Sequence, residues 1–248
     1  MLRKRVIPTL LVQDGSLVKT RHFKSPVYVG DPCNTARIFN EFEVDELIVL
    51  DIGTGQVEEP INYRLLEELA SECFMPLGYG GRITNIDQAA RIFDLGYEKV
   101  SVNTAALENP ELISDLARKF GTQAVVISID VNKDLFGHPQ VRWKGHRGKY
   151  QQTPIEWASK ACELGAGEIL FTSVEREGSW QGLDLELLRS LVANVSVPVI
   201  AHGGAGSNAH IQQAFDLGVD AVALGSMVVF QKQGSGVLVH YEGNLLHD

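Results

Sequence analysis

The feature that most constrains this chain is that it contains itself twice. Residues 76–96 (PLGYGGRITNIDQAARIFDLG) align without a gap on residues 198–218 (PVIAHGGAGSNAHIQQAFDLG) at an offset of 122, and both stretches end in Phe-Asp-Leu-Gly. At the same offset Glu46-Leu47-Ile48 falls on Glu168-Ile169-Leu170, and Asn103-Thr104 falls on Gly225-Ser226. The chain has 248 residues, so the repeat fills it. The expectation is one domain over 1–248 made of two like halves, about 1–122 and 123–248.

Short β-branched runs recur at 5–12, 46–51, 74–80, 99–102, 124–130, 168–172, 197–202 and 220–224. Between them lie apolar positions at helical spacing, such as Leu112, Ile113, Leu116 and Ala117. Asp31-Pro32, Asn109-Pro110 and Thr153-Pro154 each read as a capping residue followed by proline at the first helical position, where the missing N–H costs nothing. Eight strand-then-helix units with near-continuous apolar strands predict an α/β fold with a parallel sheet covered by helices. At this length right-handed crossovers close such a sheet into a (β/α)₈ TIM barrel of two (β/α)₄ halves. Two matching halves place matching sites across the barrel mouth, which suits a ligand with two similar ends.

Composition narrows the partners. The net charge of −9 argues against a nucleic acid or an anionic membrane, whose phosphates repel a net-negative surface. Cys33, Cys73 and Cys162 are odd in number and form no CxxC pair, so neither a disulfide framework nor a zinc site is expected. No metal or cofactor is called for, no apolar run approaches the ~20 residues of a membrane span, and the chain reads as cytoplasmic.

Gly80-Gly81-Arg82 and Gly203-Gly204-Ala205-Gly206 follow the third and seventh strands, each just before a helix. Glycine there lets backbone N–H groups approach an anion that the helix dipole attracts. One Gly-Gly alone is a plain turn. Two at equivalent positions point to two phosphate sites, one of Gly81, Arg82, Asn103 and Thr104 and the other of Gly203, Gly204, Gly225 and Ser226. Arg82 stands where the other half has Gly204, and it either adds charge to its site or partly fills it.

Carboxylates at the C-terminal ends of barrel strands point at the mouth. Asp51 and Asp130 end strands, while Glu175 and Glu177 follow the sixth. Each is a helix cap, an arginine partner or an acid/base group, and Asp130 is the foremost acid/base candidate. Aligning 5–12 on 124–131 places Leu11 opposite Asp130, so the first half has an apolar side chain where the second has a carboxylate. Lys19, behind the Asp14-Gly15 turn, reads as a flexible loop cation that either reaches over the mouth or is merely solvated. At strand starts on the opposite end, Arg5, Glu46, Lys99 and Glu168 can pair into an ionic ring at the barrel floor, placed as a gate.

These residues, together with the runs Arg3-Lys4-Arg5-Val6-Ile7-Pro8, Gly30-Asp31-Pro32 and Asn103-Thr104-Ala105-Ala106, resemble the cyclase subunit of imidazole glycerol phosphate synthase over residues 1 to about 230. The resemblance implies ammonia delivered by a glutaminase docked on the N-terminal barrel face, entering past the floor gate and reacting at the mouth with a phosphorylated substrate. It implies a catalytic role for Asp130 and makes Lys19 the substrate-loop lysine, while Glu177 and Asp51 join them as catalytic candidates by their places around the mouth. The departures are Leu11 for a catalytic aspartate, Glu177 for a loop aspartate, Arg82 for a phosphate-loop glycine, and a glycine-containing stretch over 233–241 for the final helix.

Leu10-Leu11 and the run 70–77 resemble the divergent second-copy group of that family, which is associated with surface-polysaccharide gene sets. There ammonia converts an acetamido group on a sugar, carried as a phosphorylated or nucleotide sugar, into an acetamidino group. Three functions follow in order: such an amidinating synthase, a histidine-pathway cyclase, and a non-catalytic barrel that activates its glutaminase. An isomerase of a related aminoaldose phosphate shares the half-barrel repeat but has no use for a charged floor.

Overall fold

The computed structural model describes residues 3–53, 60–143, 150–232, 234 and 236–241. Its strands are β1 (Arg5–Gln13), β2 (Ser16–Arg21), β3 (Lys24–Gly30), β4 (Leu47–Asp51), β5 (Leu77–Gly80), β6 (Lys99–Val102), β7 (Val125–Lys133), β8 (Pro139–Val141), β9 (Glu168–Ser173), β10 (Val199–His202) and β11 (Ala221–Leu224). Eight of them, β1, β4, β5, β6, β7, β9, β10 and β11, pair side by side in parallel, and β11 pairs back onto β1 through Arg5 and Ala221. These eight strands therefore form a closed (β/α)₈ barrel.

The helices between the strands are α1 (Pro32–Glu41), α2 (Tyr63–Ser71), α3 (Ile86–Asp94), α4 (Thr104–Glu108), α5 (Glu111–Phe120), α6 (Pro154–Glu163), α7 (Leu185–Asn194), α8 (Asn208–Asp216) and α9 (Ser226–Val229). The repeat reaches their caps. Asp31, Asn62 and Asn85 each accept a backbone N–H at the start of α1, α2 and α3. The residues 122 positions later, Thr153, Asp184 and Ser207, do the same for α6, α7 and α8. Helix starts thus recur because short polar side chains that satisfy orphan donors recur. Pro76 and Pro198 are related in the same way, and their carbonyls accept from Leu47 and Ile169 at 3.0 Å.

Alternation along the strands divides the apolar side chains. One cluster, which includes Ile7, Ile48, Val126, Leu170, Ile200, Ala221 and Ala223, fills the barrel lumen, and the larger one packs the helices onto its outside. Two additions were not expected from the strand pattern. β2 and β3 form an antiparallel hairpin on the end of β1, and β8 folds back on β7. Near the C-terminus Phe230 bridges to Val237, and the Tyr241 hydroxyl donates to the Val6 carbonyl at 3.1 Å. Gln233 and Ser235, in the stretch expected to replace a final helix, lie outside the described residues, as do Met1 and Leu2.

Candidate active site

The floor holds a closed ring of four side chains. Arg5 binds Glu46 and Glu168 through its two terminal nitrogens, and Lys99 binds the same carboxylates at 2.9 and 2.7 Å. Every charge has two partners of opposite sign, which is what lets Glu46 and Glu168 be buried at a strand end. Burial disfavours charge on Arg5, but Glu168 and Glu46 more than offset it and raise its pKa. Above the ring lies the apolar lumen, then a hydroxyl pair, Ser101 and Ser128, at 2.7 Å.

At the other end strand register decides which side chains face the mouth. Thr9, Leu10 and Leu11 pair with Ile48, Val49 and Leu50, while Ser128, Ile129 and Asp130 pair with Leu170, Phe171 and Thr172. Shifting the first set of partners by 122 gives the second, so Leu11 and Asp130 are structural counterparts, four strands apart around a ring of eight. Both continue the inward face begun by Ile7 and Val126. One Asp130 oxygen accepts from the Asn103 side chain at 2.8 Å.

Lys19 departs from the expected flexible loop cation. It is an internal residue of β2, buried, with its ammonium donating to the Thr9 carbonyl. Burial lowers its pKa to about 8, with Glu177 pulling the other way. The Asp14-Gly15 pair, both with positive φ, makes the tight turn that puts Lys19 back over the barrel. Glu177 is buried too, and its two oxygens accept from the Thr20 hydroxyl and the Phe23 backbone, each at 2.9 Å. It fastens the hairpin to the loop after β9. Glu175 instead accepts from the Lys133 backbone.

Asp51 departs as well. Period-two alternation turns it to the outer side of β4, with Leu47 and Val49, where it pairs with Arg82 at 3.2 Å and receives the Tyr79 hydroxyl at 3.5 Å. Of the open readings for this carboxylate, the structure favours the arginine partner.

The two glycine turns correspond but are not alike. Gly81 and Gly203 have positive φ and lie where a Cβ would strike the carbonyls of Asp51 and Ser173 at 2.4 and 2.7 Å. At the next position a Cβ on Gly204 would meet the Gly182 carbonyl at 2.2 Å. Arg82 has such a Cβ, with φ 58°, and its side chain reaches Asp51 and the carbonyl of Pro60, which is the counterpart of Gly182. The Arg82 guanidinium therefore fills a gap between turn and loop that the second half closes with backbone. Asn103 and Gly225, which precede α4 and α9, share an unusual backbone with ψ near −93° and −92°, and neither caps its helix through a side chain.

His202 was missed as a candidate although it precedes Gly203. It is buried at the inward end of β10, its Nδ1 lies 3.2 Å from the Thr172 hydroxyl, and its Nε2 faces Gly225 alongside the Lys19 ammonium. Burial, helped by Lys19, lowers its pKa to about 4 and keeps the imidazole neutral. Glu177, Trp180, His202, Gly203, Gly204 and Ser226 line one concavity with their neighbours. No cluster of three or more His, Cys, Asp or Glu placed to hold a metal occurs among the described residues.

A family model described as histidine biosynthesis protein matches residues 5–233. This chain belongs to that family. Among similar members is a Pseudomonas aeruginosa protein with the provisional name imidazole glycerol phosphate synthase subunit hisF2, 49% identical over 97% of this chain and 96% of its own length. A Vibrio vulnificus protein, provisionally named as subunit hisF3 of that synthase, is 43% identical over 97% of this chain and 94% of its own. The imidazole glycerol phosphate synthase subunit HisF of Streptococcus sanguinis is 39% identical over 95% and 93%. Within this histidine biosynthesis family protein the first half differs from the second at Leu11, opposite Asp130, and at Arg82, opposite Gly204.

Proposed function

We infer that this barrel is an ammonia-consuming synthase that works with a glutaminase and amidinates an acetamido group on a phosphorylated or nucleotide sugar. The observation that carries this reading is the register equivalence of Leu11 and Asp130. Cyclisation to imidazole glycerol phosphate needs several proton transfers between two sides of one substrate. A mouth with one inward carboxylate at this pair of positions suits a reaction with fewer of them. In amidination the ammonia nitrogen bonds to the acyl carbon and the carbon–oxygen bond breaks. The oxygen leaves as water with the two protons that ammonia gives up. Asp130 carries those protons from the entering nitrogen to the departing oxygen, and neutral His202 and the Thr172 hydroxyl offer hydrogen bonds beside it.

The other parts serve the same reaction. The floor ring faces the N-terminal side, where a glutaminase would deliver ammonia, and its charges must part for a molecule to enter the lumen. The Gly203, Gly204, Gly225 and Ser226 backbone, with the Lys19 ammonium beside Gly225, suits one phosphate. The turn at Gly81, with Asn103 and Thr104, is its weaker counterpart, since Arg82 is engaged with Asp51. The names of the relatives, imidazole glycerol phosphate synthase subunits, support the ammonia-using class and also keep cyclisation as the second reading. The test is nitrogen-15 ammonium supplied with an acetamido-sugar phosphate. Label in an amidine carbon–nitrogen bond, lost in Asp130→Asn, is the expected result. Label that appears only in an imidazole made from the ribulosyl aminoimidazole carboxamide would establish cyclisation instead.

A further inference from the structure

The strand-end side chains of the inner rim are polar on one side and apolar on the other, and the charge near the apolar side is the Lys19 ammonium that β2 brings onto Thr9 and Gly225. Around the ring β6, β7, β9 and β10 bring Asn103, Asp130, Thr172 and His202 to the mouth, and Asn103 binds Asp130 as Thr172 binds His202. The next four strands, β11, β1, β4 and β5, bring Ala223, Leu11, Leu50 and Gly80. Leu11 and Leu50 are register partners on adjacent strands. Leu50 packs on the lumen cluster yet keeps part of its surface exposed, so the apolar side opens to the mouth.

The repeat shows that this is a local choice and not a requirement of the barrel. The counterparts of Leu11, Leu50 and Gly80 in the second half are Asp130, Thr172 and His202. Three positions that are polar and hydrogen-bonded in one half are apolar or bare in the other. Gly80 is bare for a reason: a Cβ there would lie 2.8 Å from a Leu50 methyl, so glycine is what lets Leu50 lie over β5. The exposed part of Leu50, with Leu11 buried beside it, is costly to leave in water at the lip of a polar mouth, and the cost is repaid when a substrate covers it.

We propose that Leu11 and Leu50, seated over Gly80, form a subsite for a methyl-sized apolar substituent of the substrate, the methyl of an acyl amide, facing Asp130 across the mouth. This rests on the amidination reading and adds the part of the substrate that selects it. A reacting acyl carbon between the two sides presents its oxygen to the Asp130, Thr172 and His202 side and its methyl to the leucines. A substrate with hydroxyls on both sides of its reacting carbon would leave one of them against Leu11 without a partner, which selects against it.

The test is binding alone, by calorimetry, with N-acetylglucosamine 1-phosphate and its N-formyl analogue as probes that differ by one methyl group. The natural chain should bind the acetyl probe about fourfold more tightly, the value of burying one such group. Leu11→Asp and Leu50→Thr place in the first half the residues its own second half carries. Each should bring that ratio close to one while affinity for inorganic phosphate is kept, which also shows that the variants fold. Equal affinities in the natural chain, no measurable binding of either probe, or a ratio unchanged in both variants would overturn the subsite. Turnover is not read, so the amidination can fail with ammonium while the methyl preference stands, and the two failures are told apart.

Discussion

At the scale of single residues, two buried bases dominate the mouth. Lys19 has its pKa lowered from 10.5 to about 8, so the unfolded chain binds its proton more tightly than the folded one. Its burial therefore costs stability at neutral pH, up to about 3 kcal/mol, and the cost fades as pH rises from about 8 to 10.5. Lys19→Met should raise the melting temperature at pH 7, gain little at pH 10, and weaken binding of inorganic phosphate. Equal destabilisation at both pH values would show that the ammonium is held for stability. His202 has its pKa lowered from 6.5 to about 4, so between those values the unfolded state binds more protons and stability falls as pH falls. His202→Gln should flatten that acid limb in denaturant titrations at pH 4 to 7, and a limb as steep as in the natural chain would mean another group titrates there. Neither shift was legible from sequence, because burial of both bases depends on a hairpin and a strand end far apart in the chain.

At the scale of elements, the turns after β5 and β10 show what one Cβ does. Gly204 combines φ 110° with a loop carbonyl 2.2 Å from any Cβ, whereas Arg82 fills the matching space with its own side chain. Gly204→Ala is expected to cost about 1–3 kcal/mol in chemical denaturation and to weaken phosphate binding. Arg82→Gly relieves a φ of 58° but leaves Asp51 without its cation, so its loss should be partly regained by adding Asp51→Asn, and a loss unchanged in the double variant would mean that the pair does not hold the turn. Strands, helix starts and the glycine turns were readable because alternation, capping residues and proline act locally. The β2–β3 hairpin was not, although Asp14-Gly15 between apolar runs is a recognised hairpin signal. Taking that pair as a turn into a loop left Lys19 mobile, when a strand was there to bury it. Asp51 was misplaced for a similar reason: arriving at a strand end does not say which face of the pleat a side chain takes.

At the scale of the whole molecule, duplication explains both the likeness and the difference of the halves. Strand order, the caps of three helix pairs and the two floor glutamates follow the offset of 122, whereas the cations Arg5 and Lys99 have no charged counterpart in the second half. The shared features could be traced in the sequence because a barrel of two like halves repeats its demands every half turn. The ring is a unit: Lys99→Met leaves Glu46 and Glu168 with one cation between them and should cost about 3–5 kcal/mol, part of it regained by adding Glu168→Gln. Strictly additive losses in thermal denaturation would show that the four charges do not act together. The halves diverge at the mouth, where Leu11 faces Asp130, and that divergence carries the functional reading. It is tested most directly by steady-state turnover of the ribulosyl aminoimidazole carboxamide substrate with ammonium salt, comparing the natural chain with Leu11→Asp and Asp130→Asn. One positioned acid/base group contributes ~10²- to 10⁴-fold, so slow turnover in the natural chain, raised by Leu11→Asp and abolished by Asp130→Asn, is the predicted result. Efficient cyclisation by the natural chain, not improved by Leu11→Asp, would contradict it.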